Sequence, residues 1–209
     1  MGRYAHCETE GNDLSIVLLA SGGLDSAVMA ALAKQQGLTI HPLFIDYGQL
    51  SKKLELSACK KALSALGLPS PNIADVNGFG KLTPSGLTDV SRDVFLDAFL
   101  PGRNMLFLLL GANFAYEKDA AAVAIGLLKE EASLFPDQTR KFLNMAEELL
   151  SFSIGREIKI VAPLIDLNKS DVVQIAKEFG IDNTYSCHAG GSEPCGICVA
   201  CREFEGLED

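Results

Sequence analysis

Ala20-Ser21-Gly22-Gly23-Leu24-Asp25-Ser26 joins two segments of different character. Residues 14–20 are apolar apart from Ser15 and predict a buried parallel strand, while Ala27-Val28-Met29-Ala30-Ala31-Leu32-Ala33 predicts a helix running to about Gln36. Two glycines at such a junction let the backbone approach a ligand, because no Cβ intervenes. Ser21 and Ser26 add hydroxyls, and the helix start adds unpaired N–H groups carrying partial positive charge. The stretch therefore predicts a phosphate cradle. It lacks the Gly-Lys-Ser/Thr of a Walker A loop. A carboxylate inside a phosphate loop is best explained by Mg²⁺ bridging Asp25 to the phosphates. The plainer alternative is a strand-to-helix turn capped by Ser21 or Ser26.

Strand and helix signals alternate from here. Residues 39–45 form a second strand, residues 50–66 a second helix and residues 73–76 a short third strand, with Gly37 and Gly67 closing the two helices. Residues 105–116 are apolar nearly all round and predict the most buried helix. Residues 121–126 and 158–161 supply strands four and five. Asp137 is expected to cap a helix whose buried face is Phe142, Met145, Ala146, Leu149 and Leu150. Val172, Ile175, Ala176 and Phe179 mark the last amphipathic helix, ended by Gly180. This is an α/β chain with a five-stranded parallel sheet and helices on both faces. Residues 77–102 break the rhythm with scattered Gly and Pro, and a functional lid or binding loop is the reading for that segment. The polar residues 1–13 are read as a loosely held terminus.

The chain has 209 residues, 48% hydrophobic and 22% charged, which suits one globular domain. Its net charge of −9 argues against a broad nucleic-acid surface. No signal peptide or membrane-length apolar run is visible, so the expectation is a soluble, cytoplasmic protein.

Of six cysteines, Cys187, Cys195, Cys198 and Cys201 form Cys-x7-Cys-x2-Cys-x2-Cys within a tail at residues 183–209. Four thiolates in a reducing compartment fit a closed, structural zinc site, with an iron–sulfur cluster as competitor and His188 as a spare ligand. Cys7 and Cys59 read as inert small hydrophobes. Asp46-Tyr47-Gly48-Gln49 follows strand two, at the sheet edge where open α/β folds bind ligands. Pro101-Gly102-Arg103-Asn104 precedes the apolar helix, and a lone Arg there asks for an anion. Pro163-Leu164-Ile165-Asp166 with Lys169 offers a charged pair at the same edge.

Ser21-Gly22-Gly23-x-Asp25-Ser26 resembles the PP-loop of the ATP pyrophosphatases. Together with Asp46 to Gln49, Pro101 to Asn104, Phe135-Pro136-Asp137, Pro163-Leu164, Lys169 and the four cysteines, it resembles the 7-cyano-7-deazaguanine synthase branch over nearly the full chain. That resemblance implies ATP-dependent conversion of 7-carboxy-7-deazaguanine and ammonia to the nitrile, by adenylation of the carboxylate and then of the amide. It implies ATP, Mg²⁺ and Zn²⁺ as cofactors and a homodimer. It places Ala20, Ser21, Gly22, Gly23, Leu24, Asp25, Ser26, Phe44, Asp46 and Gly126 around the nucleotide. Tyr47, Gln49, Arg103, Asn104, Phe135 and Asp137 fall around the acceptor, and Ser21, Asp25, Ser26, Arg103 and Lys169 carry the chemistry.

The chain departs from the family pattern near the acceptor. Gln138 and Thr139 replace a Cys-Arg pair, Leu50-Ser51 replaces a basic-His pair, Glu131 stands for the acidic residue of that loop, and the 77–102 segment is short. The rivals are adenylation of a different carboxylate, on a modified base, nucleic acid or protein, and a non-catalytic ATP-binding subunit.

Overall fold

The computed structural model describes residues 14–129 and 134–207. The readings for residues 1–13, Cys7 and Glu131 lie outside the described residues. Five strands, β1 (Ser15–Leu19), β2 (Thr39–Asp46), β3 (Asn72–Asp75), β4 (Ala122–Ala124) and β5 (Lys159–Val161), form one parallel sheet in the order β3-β2-β1-β4-β5. Central β1 pairs with β2 and β4, setting Leu18 opposite both Pro42 and Ala124.

Strand alternation sorts the side chains into two cores. Ile16, Leu18, Ile40, Phe44 and Ala124 face α1 (Leu24–Gln35), α2 (Lys52–Ala65) and α6 (Lys169–Phe179). Val17, Leu19, Leu43, Ile45 and Val123 face α4 (Arg103–Glu117) and α5 (Arg140–Ile154). With both faces covered, β4 and β1 beyond Ser15 are apolar and buried, as their sequences suggested, whereas the edge strand β3 is largely exposed. A Cβ added at Gly111 would lie 2.7 Å from Val123 Cγ1, so glycine lets α4 lie close on the sheet. The chain leaves β1 for β2 on one side and β4 on the other. This reversal opens a crevice at the carboxyl end of β1, directly over the phosphate loop.

Five expectations need correction. The most buried helix is α1, packed under the centre of the sheet, and not residues 105–116, where α4 leaves Leu109 and Tyr116 exposed. Asp137 does not cap α5. A 3-10 turn, Pro136–Gln138, intervenes, and Thr139 is the cap, its hydroxyl accepting from Phe142 N at 3.2 Å. The buried face of α5 is Leu143, Ala146 and Leu150, whereas Met145 and Leu149 are exposed at 61% and 56%. The five apolar positions read from sequence straddle two faces of the helix. Asp166 pairs with Arg140 rather than Lys169. Residues 77–102 are also packed rather than structureless. They contain a short helix, α3 (Phe79–Leu82), and bury Leu87 and Leu100 against Tyr47.

Candidate active site

The phosphate loop turns on Gly22, whose φ of +87° suits glycine and whose added Cβ would lie 2.1 Å from the Glu55 carbonyl oxygen. The loop therefore lies against the first turn of α2. Neither serine caps α1: the N-cap is Gly23, and no side chain accepts from the first turn. Instead Ser21 Oγ donates to Ser26 Oγ at 3.3 Å, Ser26 Oγ donates to the Gly23 carbonyl at 2.9 Å, and Gly23 N donates to Ser21 Oγ at 3.2 Å. The hydroxyls shape the loop, and the helix N–H groups remain for an anion.

Lys169 begins α6 and crosses to the loop. Its Nζ donates to Asp25 Oδ1 and Oδ2 at 2.7 and 2.9 Å and pairs with Glu203 Oε2 at 2.7 Å. The ammonium also sits over the Phe204 ring at 5.2 Å. Burial alone would lower its proton affinity, but the Asp25 and Glu203 carboxylates outweigh that and hold Lys169 above its ordinary value. Asp25 is the one carboxylate of the loop. Both its oxygens already accept from Lys169, so Mg²⁺, which keeps waters and phosphate oxygens in its shell, would share Asp25 with the ammonium.

A cleft of about 250 Å³ runs from this loop to an aromatic end. Ala20, Ser21, Gly23, Leu24, Asp25, Ser26, Phe44, Gly126 and Lys169 line it, as do Tyr47, Gln49, Arg103, Asn104 and Phe135. Gly22, Asp46 and Asp137 are off its wall. Asp46 is buried, pairs with Lys52 and accepts from Gly48 N at 3.1 Å, so it shapes the turn after β2. The Asp137 carbonyl accepts from Asn104 Nδ2 at 2.9 Å. Gln138 does reach the wall, and its Oε1 accepts from Leu134 N and Phe135 N, each at 3.0 Å, fixing Phe135 in a stack on Phe99 at 4.9 Å. The residues that depart from the family pattern thus build a turn and a cap beside the cleft. Burial pushes the Tyr47 phenol up to about 12, against the pull of Arg103.

Sequence reasoning missed Glu55, Glu203 and Tyr185, all on the cleft wall, and gave His188 only a spare metal role. The Ser51-x3-Glu55 spacing, one helical turn, was the available signal for Glu55. Glu203 and Tyr185 reach the cleft through long-range packing alone.

The Sγ atoms of Cys187, Cys195, Cys198 and Cys201 all lie within 4.8 Å of one another, so the set can hold one metal ion. Backbone N–H groups of His188, Cys195, Cys198 and Cys201 donate to these sulfurs at 3.4–3.5 Å, an arrangement suited to thiolates. Cys198 also caps α7 (Val199–Arg202), the element that carries Glu203 to Lys169. Tyr185 N donates to the Gly22 carbonyl at 2.9 Å, tying the same tail to the phosphate loop.

Residues 15–206 match the family described as queuosine biosynthesis protein QueC. The chain belongs to the QueC family. The family expected from the motifs is the one found. Among QueC relatives, 7-cyano-7-deazaguanine synthase of Methanothermobacter thermautotrophicus is 35% identical, over 92% of this chain and 96% of its own. The synthase of Prochlorococcus marinus is 36% identical over 91% of each. These are synthases, which marks the chain as an enzyme. The structure is similar to that of NMN synthetase from Francisella tularensis, with a TM-score of 0.53 at 16% identity over 94% of this chain and 77% of that one. That likeness shows the QueC chain to have the expected nucleotide-hydrolase fold. Among the described residues no helix is long and apolar enough to cross a membrane.

Proposed function

We propose that this chain is an ATP-dependent ligase that converts 7-carboxy-7-deazaguanine and ammonia to 7-cyano-7-deazaguanine. One observation carries the reading: a single cleft joins the phosphate loop to a pocket of aromatic and hydrogen-bonding side chains, so ATP and a planar acid would meet inside it. A carboxylate oxygen of the acid attacks the α-phosphorus and pyrophosphate leaves toward Ser21, Ser26 and the α1 N-terminus. Ammonia adds to the acyl adenylate, loses a proton and displaces AMP, giving the amide. The amide oxygen attacks the α-phosphorus of a second ATP with release of pyrophosphate, and loss of two N–H protons with AMP leaves the nitrile. Arg103, at the head of α4 and 6.0 Å from the Tyr47 ring centroid, would steady the acid's carboxylate before attack. Lys169 would hold Asp25 and add positive charge where the phosphates develop negative charge. Mg²⁺, held through Asp25, would neutralise the phosphates, and Zn²⁺ on the four cysteines would fix the tail. None of these steps needs a protein nucleophile, and positioning supplies much of the rate.

The reading treats the chain as one domain, with residues 183–209 as its metal-bound segment, in the reducing cytoplasm that free thiols suit. It includes a homodimer, supported by an exposed apolar stripe on α5, Met145, Leu149 and Phe152, with Phe152 86% exposed. A net charge of −9 disfavours a nucleic-acid partner. The position of Gln138 on the cleft wall favours one second reading, a different carboxylate acceptor. Incubation with ATP, Mg²⁺, ammonium and the acid, followed by mass analysis, tests both. Amide and nitrile are expected. ATP binding without either product would favour the changed acceptor, and binding with no pyrophosphate released for any carboxylate would make the chain a non-catalytic subunit.

A further inference from the structure

Glu55 is unusual among the acidic side chains of the cleft. It projects from the first turn of α2 onto the cleft wall, and burial raises its proton affinity. No ion pair among the described residues contains it, although Arg103 lies near enough to favour its charged form. Ser51 Oγ donates to Oε1 at 2.6 Å, and Gln49 Nε2 donates to Oε2 at 3.0 Å. Gln49 is itself fixed, since Nε2 also donates to the Ile45 carbonyl at 3.1 Å and Oε1 accepts from Tyr47 N at 3.0 Å. The carboxylate is thus oriented by two neutral donors, one per oxygen. A carboxylate oxygen accepts about two hydrogen bonds, so one acceptor position on each stays open. His188 lines the same cleft, and its Nδ1 is buried without a hydrogen-bond partner among the described residues. Buried polar atoms are rarely left unmatched, and this one belongs to a residue of the cleft wall.

We propose that Glu55 is the specificity residue for the acceptor and that it takes the paired N–H donors of a guanine-type edge, a ring N–H and its neighbouring exocyclic amine. The proposal rests on the function given above and names the group that reads its substrate. Two adjacent N–H donors match two syn oxygens of a carboxylate in a planar, bidentate contact. Phe135, backed by its stack on Phe99, and Tyr47 supply flat apolar surface for the ring. His188 Nδ1 is left for a second polar atom of the same ring. The Ser51 and Gln49 donors restrain the Glu55 carboxylate, so the site is organised before the ring arrives.

The test compares the parent enzyme with Glu55→Gln and Glu55→Asp, using 7-carboxy-7-deazaguanine and the same acid lacking the exocyclic amine. Melting temperature and ATP affinity check each fold. A bidentate contact of this kind discriminates by roughly 10- to 100-fold. Glu55→Gln is expected to raise KM for the acid by that factor, with ATP affinity unchanged. The parent should prefer the amine-bearing acid, and Glu55→Gln should lose the preference. Glu55→Asp should keep part of it. An unchanged KM, a loss confined to kcat, or an undiminished preference in Glu55→Gln would overturn the assignment. If Glu55→Gln does not fold, an equal KM of Glu55→Asp and parent for the acid overturns it. If the parent binds ATP but leaves the acid unreacted, the functional reading itself fails and the guanine-edge assignment falls with it.

Discussion

Lys169 Nζ donates to both oxygens of Asp25, at 2.7 and 2.9 Å, although the two residues lie 144 positions apart. The contact ties the head of α6 to the second residue of α1 and thereby sets the mouth of the phosphate loop.

Asp25→Asn should keep the fold and reduce ATP cleavage by about 10²–10³, the usual loss when one preorganised electrostatic partner is removed. Lys169→Met should cost as much. Because the two act through one contact, the double variant should lose far less than the product of the single losses. Pyrophosphate release under single-turnover conditions measures this, and strictly multiplicative losses would rule out the shared role.

Gly22→Ala should unfold the loop from α2. The new Cβ would meet the Glu55 carbonyl at 2.1 Å, and alanine disfavours a φ of +87°. A stability loss above about 2 kcal/mol and absent ATP binding are expected in urea titrations and calorimetry. Gly37→Ala is the control, since its φ is also positive but its added Cβ meets nothing.

The purified protein should hold about one zinc ion per chain, and chelation should lower its melting temperature. Binding at a structural zinc site is folding energy, on the order of 10 kcal/mol in small zinc domains. Elemental analysis decides between zinc and iron, and iron with labile sulfide would replace zinc by a cluster.

Glu55 also predicts a pH effect on stability. A carboxyl held above its ordinary value binds its proton more readily folded than unfolded. Stability therefore falls as pH rises from the unfolded carboxyl range, about 4.3, through the folded value. Its ionisable neighbours are Arg103, which favours the charged form, the phenols of Tyr47 and Tyr185, and the Cys59 thiol. Glu55→Gln should lack this fall, so its melting temperature relative to the parent should rise between acid and neutral pH. A constant difference across that range would remove the burial argument.

The parallel sheet was legible because β1, β2 and β4 are largely buried on both faces and read as mainly apolar runs between helical segments. The phosphate loop was legible because glycine, serine and aspartate between a strand and a helix have few other uses. Local spacing also identified the cysteine cluster. The α5 surface was misread because five apolar residues fill two faces of one helix, and only packing decides which is inside. The partners of Lys169 were invisible for a related reason: Asp25 and Glu203 come from distant segments, and Asp166, its near neighbour in sequence, pairs elsewhere.

The cysteine tail supplies Tyr185, His188 and Glu203 to the cleft, so one side of the catalytic chamber hangs on four sulfurs. Cys195 and Cys201 Sγ lie 3.9 Å apart, and oxidants that join them would remove two metal ligands at once. Peroxide stress would then loosen that side of the chamber, and with it the Tyr185 contact to Gly22 and the Glu203 contact to Lys169 beside the phosphate loop. Reductant would reopen that disulfide and return the four-sulfur set, so activity is expected to track the redox state of this tail.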